Sequence, residues 1–122
     1  MYNYFLLIGY VSGISELRVT SSGAKVITIF LRVRRDFKDA TTGLYNWDTV
    51  KITAWELIAE IASDTVKKGS KIIAIGRVKP SKITNSDNVE VDCNELYADR
   101  LTVLADPTDA KNHQAMDEEL DG

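Results

Sequence analysis

One cysteine, one histidine and two prolines are all that the 122 residues contain of those types. Cys93 has no partner for an internal disulfide, and His113 stands too far along the chain to complete a convincing metal site with it. We read Cys93 as a buried structural thiol and expect no metal. Long apolar runs are missing as well. No segment approaches the roughly 18 residues a membrane span requires, and Met1 to Val11 has neither a basic start nor a small-residue cleavage site. A cytoplasmic location without a membrane partner is therefore expected. Catalytic equipment is absent in the same way: there is no nucleophile and base arrangement and no glycine-rich phosphate loop, and the single histidine lies near the C-terminus. The chain is expected to be no enzyme, with no catalytic residue and no cofactor.

The length suits a single domain with a real core. Charge is divided unevenly along it. Residues 1–104 hold fourteen Lys and Arg against twelve Asp and Glu, a balance of plus two, whereas residues 105–122 hold one Lys against six acids, a balance of minus five. A modestly basic domain over 1–104 and an acidic C-terminal tail over 105–122 are the expected divisions.

What the chain does have is concentrated in Trp47 to Trp55. Trp47, Thr49, Lys51, Thr53 and Trp55 form one alternating set, and Asp48, Val50, Ile52 and Ala54 the other. Successive strand side chains point to opposite faces, so one strand would bury the small apolar set and display two indoles with an ammonium on its outer side. Such a surface stacks flat rings and holds anions. On one continuous strand the two Trp backbones would stand about 26 Å apart at about 3.3 Å per residue, a span suited to a polymer.

Around this strand the pattern is regular. Tyr4 to Val11 reads as a first strand with Gly9 as a bulge or close-approach point, followed by a Ser21-Ser22-Gly23 turn. Lys25 to Arg35 alternates, with Ile27, Ile29, Leu31 and Val33 inward and Phe30, Arg32 and Arg34 outward. Asp36 to Tyr45 is a loop carrying Phe37. Leu57, Ile58, Ile61, Ala62 and Val66 recur at helical spacing, so a helix is expected from Glu56 to about Lys67, stopped by Gly69. Lys71 to Lys79 is a fourth strand with Arg77 and Lys79 outward. Pro80 to Asn88, which includes Lys82 and Ile83, is an exposed hairpin arm, and Val89 to Leu104 is a fifth strand, bulged near Asn94. Five strands with one helix between the third and fourth is the order of an all-β OB-fold, a Greek-key barrel whose second and third strands form the usual oligonucleotide face.

Several short pieces, weak singly and specific in their order, then carry a resemblance. They are Ile8-Gly9, Glu16-Leu17-Arg18 with Ser22-Gly23, Arg34-Arg35 leading to Phe37, Ala54-Trp55 running into Leu57-Ile58-Ala59-Glu60, Lys67-Lys68-Gly69-Ser70, Gly76-Arg77-Val78, and Ala98-Asp99. Across Tyr4 to Leu104 the sequence resembles the bacterial and phage single-stranded DNA-binding proteins. That resemblance implies a homotetramer, or sometimes a dimer, that wraps unpaired DNA over aromatic and basic residues without reading its sequence, in replication, recombination or repair. It places Phe37 and Trp55 in two stacking positions of the family. The aromatic expected in the third strand falls at Thr49, with Trp47 two residues earlier on the same face, and the aromatic of the arm falls at Ile83. Weaker binding or a smaller site than in the larger members is the expectation. The resulting nucleic-acid surface comprises Phe30, Arg32, Arg34, Phe37, Trp47, Thr49, Lys51, Trp55, Arg77, Lys79 and Lys82. In the family an acidic C-terminus ending in an apolar tip docks replication and repair proteins; here Asp117, Glu118, Glu119 and Leu120 keep the acids and a Leu without the terminal Phe. The compact chain fits a phage or mobile-element member.

Plainer readings accompany these. The two Trp can cover a subunit interface or the barrel end, the cations can be a solvated face, and the tail can be a disordered solubilising end; the functional readings of the tail are protein docking and competition with DNA for the basic groove, its six acids acting as an internal mimic of phosphate. Tyr2, Tyr4 and Tyr10 read as core or subunit contacts, and Phe30 as either DNA surface or subunit packing. The competing function is an OB-fold protein-interaction module of the primosome-assembly type.

Overall fold

The structure is a computed structural model that describes the backbone of residues 1–120 and the side chains of residues 1–117. Strands β1 (Phe5–Ile14), β2 (Arg18–Val19), β3 (Lys25–Lys38) and β4 (Tyr45–Trp55) lead into helix α1 (Glu56–Thr65), and strands β5 (Lys71–Thr84) and β6 (Glu90–Ala105) lead into helix α2 (Pro107–Leu120). The sheet order is β1-β5-β6-β4-β3-β2, and β1 also pairs with β3, so the five long strands close into a barrel. The expected OB-fold is present. The two-residue β2 makes the helix fall between β4 and β5, but the order of the long strands is as anticipated.

Alternation explains the core. Ile27, Ile29 and Leu31 on β3, Ile52 and Ala54 on β4, Ile72 and Ala74 on β5 and Val11 on β1 all point inward and are buried. Helix α1 packs against β3, β4 and β6 and adds Ala59 and Ala62 to the same cluster. Closure needs one strand to serve two neighbours. β1 pairs with β5 from Phe5 to Tyr10 and with β3 from Tyr10 to Ile14. At the changeover a Cβ on Gly9 would lie 2.2 Å from the Arg32 carbonyl oxygen. Gly9 is thus a close-approach position, as expected, and the irregularity of β1 falls just beyond it, between Val11 and Gly13.

Several boundaries differ from expectation. The irregularities of β6 lie not at Asn94 but where Asp99 and Leu104 are extra to the pairing with β5. The first faces Gly76, where a Cβ would lie 1.9 Å from the Tyr97 carbonyl oxygen. Helix α1 ends at Thr65, before Lys67 and Lys68, and Gly69 serves the following turn with φ of +93°. That turn is tied to β1 by Gly69 N donating to Val11 O and Val11 N donating to Ser70 O, so strand pairing ends the helix earlier than its apolar spacing does. β3 runs on to Lys38, which puts Phe37 on a strand end. Cys93 is half-buried, not buried, because the two-stranded arm has no second layer over it.

Gly9→Ala is expected to destabilise the protein by about 2 kcal/mol or more through overpacking against backbone. Gly13→Ala, whose Cβ would meet only Phe30 Cδ2 at 3.7 Å, should be neutral or stabilising by up to about 1 kcal/mol. Urea unfolding midpoints compare the two, and equal losses would remove the special role of Gly9.

Candidate nucleic-acid interface

β4 is one uninterrupted strand from Tyr45 to Trp55, so Trp47 and Trp55 do share an outer face about 26 Å long at about 3.3 Å per residue. Its neighbour β3 sets the rungs: Thr28 opposite Thr53, Phe30 opposite Lys51, Arg32 opposite Thr49, and Arg34 opposite Trp47. Opposed residues on adjacent strands project to the same side, so rings and cations share one surface. Phe30 is 41% exposed, and Thr49 and Lys51 are exposed beside it.

Each Trp is the centre of a small cluster. At one end the Trp47 ring meets the Tyr10 ring at 5.8 Å between centroids, and the Arg32 guanidinium lies 4.8 Å from the Trp47 ring. Arg34 lies over Tyr45 at 4.2 Å, and Lys38 at 5.6 Å from the same ring. At the other end Trp55 meets Tyr97 at 6.2 Å, with Lys79 Nζ 5.3 Å from the Tyr97 ring. Guanidinium and ammonium groups are attracted to ring faces at such distances. Trp55 Nε1 is buried without a hydrogen-bond partner among the described residues. The Tyr97 hydroxyl donates to Glu95 Oε2 at 2.8 Å, and that bond, with burial, raises its pKa above the ordinary tyrosine value.

Two further elements flank the face. The β3–β4 ribbon projects past the barrel and carries Phe37, which is 77% exposed. Arg35 clamps Asp48 across it with two hydrogen bonds of 3.0 and 2.9 Å. At its tip Asp39 accepts from the Thr41 and Thr42 amides and from Asn46. These bonds hold the Asp48 and Asp39 carboxyls below the usual carboxylate range, Asp48 through Arg35 and Asp39 first through the Thr41 amide. On the other flank the hairpin arm brings Ile83 and Cys93 to a cleft of about 190 Å³ shared with Lys51 and Thr53. Lys82 is exposed on this arm, and Arg77 pairs with Asp99 at 3.3 Å.

The acidic segment is the largest departure from sequence reading. Its α2 helix returns to the barrel: Ala110 is buried with Tyr10 and Ala105, and Trp47 packs against this group. The Tyr10 hydroxyl donates to Asp117 Oδ2 at 2.5 Å, and Arg34 Nη1 donates to the Asp117 carbonyl at 2.6 Å. Glu118, Glu119 and Leu120, grouped with Asp117 in the sequence reading, lie outside the described side chains. Tyr45, Lys71 and Tyr97 join these clusters without having been singled out in the sequence. Tyr10, read with Tyr2 and Tyr4 as a core or subunit contact, is buried as that reading has it, while the other two are exposed.

An OB barrel with rings and cations on the outer side of its second and third long strands defines a class, the oligonucleotide-binding barrels. Residues 2–104 match the Single-strand binding protein family, and the chain belongs to it. It is 35% identical over 104 residues to Single-stranded DNA-binding protein B of Bacillus subtilis (strain 168), a match covering 85% of this chain and 91% of that one. It is 31% identical over 120 residues to Single-stranded DNA-binding protein 4 of Streptococcus agalactiae serotype V, covering 98% and 86%. The longer Single-stranded DNA-binding protein of Lactiplantibacillus plantarum is 29% identical over 115 residues, with 57% of its length covered.

The ribbon should respond to acid. Because the folded-state pKa values of Asp39 and Asp48 are depressed, their stabilising contribution is present above the unfolded value of about 3.9 and lost as pH falls through the folded values. Protection of the Thr41 and Thr42 amides, taken relative to their intrinsic exchange rates, is expected to fall in that acid window, and Asp39→Ala, which removes the accepting oxygen, to produce the same loss at neutral pH. Exchange that is equally slow in the variant would show that the carboxylate does not hold the tip.

Proposed function

We propose that this protein binds single-stranded DNA without sequence preference and protects it during replication, recombination or repair. The observation that carries the reading is the run of rings and cations along β3 and β4, from the Tyr10–Trp47 pair to the Trp55–Tyr97 pair. Bases of any identity stack on such rings, each contributing about 1 to 3 kcal/mol. Arg32, Arg34, Lys51, Arg77, Lys79 and Lys82 neutralise phosphates and release counterions, so affinity falls as salt rises. Phe37 and Phe30 extend the stacking surface, and Thr49 leaves room for a base between Trp47 and Lys51. The work is binding and not catalysis, it takes place in the cytoplasm, and a phage or mobile-element origin belongs to the same reading.

A second copy of the chain is the other partner. Leu6 and Ile8 on β1 are 49% and 44% exposed, and they pair with the half-buried Ile75 and Ile73 on β5. This apolar stripe supports a homo-oligomer, and the family resemblance puts a tetramer before a dimer. The acidic segment is proposed to meet replication or recombination proteins.

Titration with oligo-dT should quench tryptophan fluorescence at low salt and recover it at high salt. No quenching by any oligonucleotide at low salt would sink the reading and favour a protein-interaction module. Measured by anisotropy of a labelled oligonucleotide, Trp55→Ala should weaken binding roughly 10- to 100-fold. Tyr4→Ala should weaken it far less at equal stability, and equal losses would mean the wrong face has been chosen.

A further inference from the structure

We propose that the Glu95 carboxylate is a base-reading acceptor on an otherwise indifferent face, and that it favours guanine at one position of the bound strand. The inference rests on the reading of that face as a nucleic-acid surface, and it names the one place where the identity of a base enters. Stacking rings do not distinguish bases, but a fixed carboxylate does. β6 runs parallel to β4 with Thr53 opposite Tyr97, so Glu95, two residues before Tyr97, projects to the same side of the sheet and stands level with Lys51. Glu95 and Lys51 line one cleft of about 190 Å³, to which the arm contributes Ile83. The Glu95 side chain is half-buried and held in place. Its Oε2 accepts from the Tyr97 hydroxyl at 2.8 Å, and the Tyr97 ring is itself seated against Trp55.

Carboxylates beside phosphate-binding cations are elsewhere neutralised on this protein: Arg35 holds Asp48 and Arg77 holds Asp99. Glu95 has no ion pair among the described residues. Lys79, opposite it on β5, places its ammonium 5.3 Å from the Tyr97 ring. One hydroxyl takes up one of about four acceptor positions on an ionised carboxylate, so the group is open to a ligand that brings N–H donors. Unpaired bases present their Watson–Crick edges to proteins. Guanine alone carries two adjacent donors there, N1–H and the 2-amino group, which match two carboxylate oxygens in charge-assisted bonds. Cytosine and adenine have a single amino group beside an acceptor nitrogen. The one N–H of thymine stands between two carbonyl oxygens that a carboxylate repels. With the flat face of a guanine against Ile83, its edge meets Glu95 and the adjoining phosphate meets Lys51.

The test uses the full chain and a short labelled oligo-dT in which one dT is replaced by dG, at each position in turn, with affinity read by anisotropy. At the best position dG is expected to tighten binding about fivefold, the lower end of what a bidentate base contact gives. Deoxyinosine at that position, which lacks only the 2-amino group, should lose most of the gain. Glu95→Gln still accepts from the Tyr97 hydroxyl through its carbonyl but has no charge and only one acceptor oxygen, so its dG advantage should vanish. Thermal melts show that the variant is folded, and the deoxyinosine comparison needs no variant at all. Equal affinity for the all-dT strand and every dG-bearing strand, or a dG advantage that survives Glu95→Gln, would overturn the base-reading role; Trp55→Ala weakening the binding of all these strands would leave the function standing. No binding of any strand would overturn both.

Discussion

A single strand, β1, has to pair with β5 and then with β3, and the barrel closes only because the chain at that changeover has no side chain to place. A Cβ on Gly9 would sit 2.2 Å from the Arg32 carbonyl oxygen, inside any permissible contact. The absence of that one carbon lets β1 come close to β3, and the next residue, Tyr10, is then fixed between Arg32 and Lys71. The aromatic pair with Trp47 follows from this. So closure and the composition of one end of the binding face have a common cause, which is why a backbone requirement at Gly9 matters to a surface that Gly9 does not join.

Bulges do similar work at the other end. Asp99 is extra to the β5–β6 pairing, opposite Ile75 and Gly76, and an extra residue strengthens local twist. β6 meanwhile lies parallel to β4 through Ile52 with Leu96 and Thr53 with Tyr97. Tyr97 is thereby placed next to the strand that carries Trp55, with Gly76 again allowing backbone to approach where a Cβ would lie 1.9 Å from an oxygen. Each Trp of β4 therefore gains a Tyr from a strand far away in sequence.

This separates what was legible in the sequence from what was not. The inward and outward sets of β3 and β4, and the helix after Trp55, follow from local period, and the barrel order follows from counting elements. Phe30, Arg32, Arg34, Trp47, Lys51 and Trp55 were placed together on that basis, and the structure does bring them to one face. Tyr97 and Lys71 carry no local sign of their position, because their placement depends on strand pairing across the barrel and on bulges that reset the register. Tyr10 was read as a core or subunit contact and is buried, but nothing local to it shows that the ring it meets is Trp47, which a strand pairing across the barrel supplies. The acidic segment was read from its charge and from the family resemblance, neither of which bears on its fold. Its apolar residues are too sparse to announce a helix, and what seats α2 is Ala110, a small residue, together with one carboxylate.

The two ends of β4 consequently differ in mechanical character. Trp55 directly precedes α1, and its indole nitrogen is buried; Glu56 after it holds φ of +55° while its carboxylate accepts from the Lys25 amide. A non-glycine residue in that region is tolerated only where its surroundings fix it, so this end is rigid. Trp47 lies where β3 and β4 leave the barrel as a ribbon, which is held by Arg35 with Asp48 and by the turn around Asp39. Those contacts are exposed and individually weak. The two rings of β4, about 26 Å apart, are thus held by different means: Trp55 by the chain around Glu56 at the start of α1, and Trp47 by Tyr10, Arg32 and the buried Ala110 of α2, which all come from other elements. The face of one strand is therefore fixed by local backbone at one end and by long-range packing at the other.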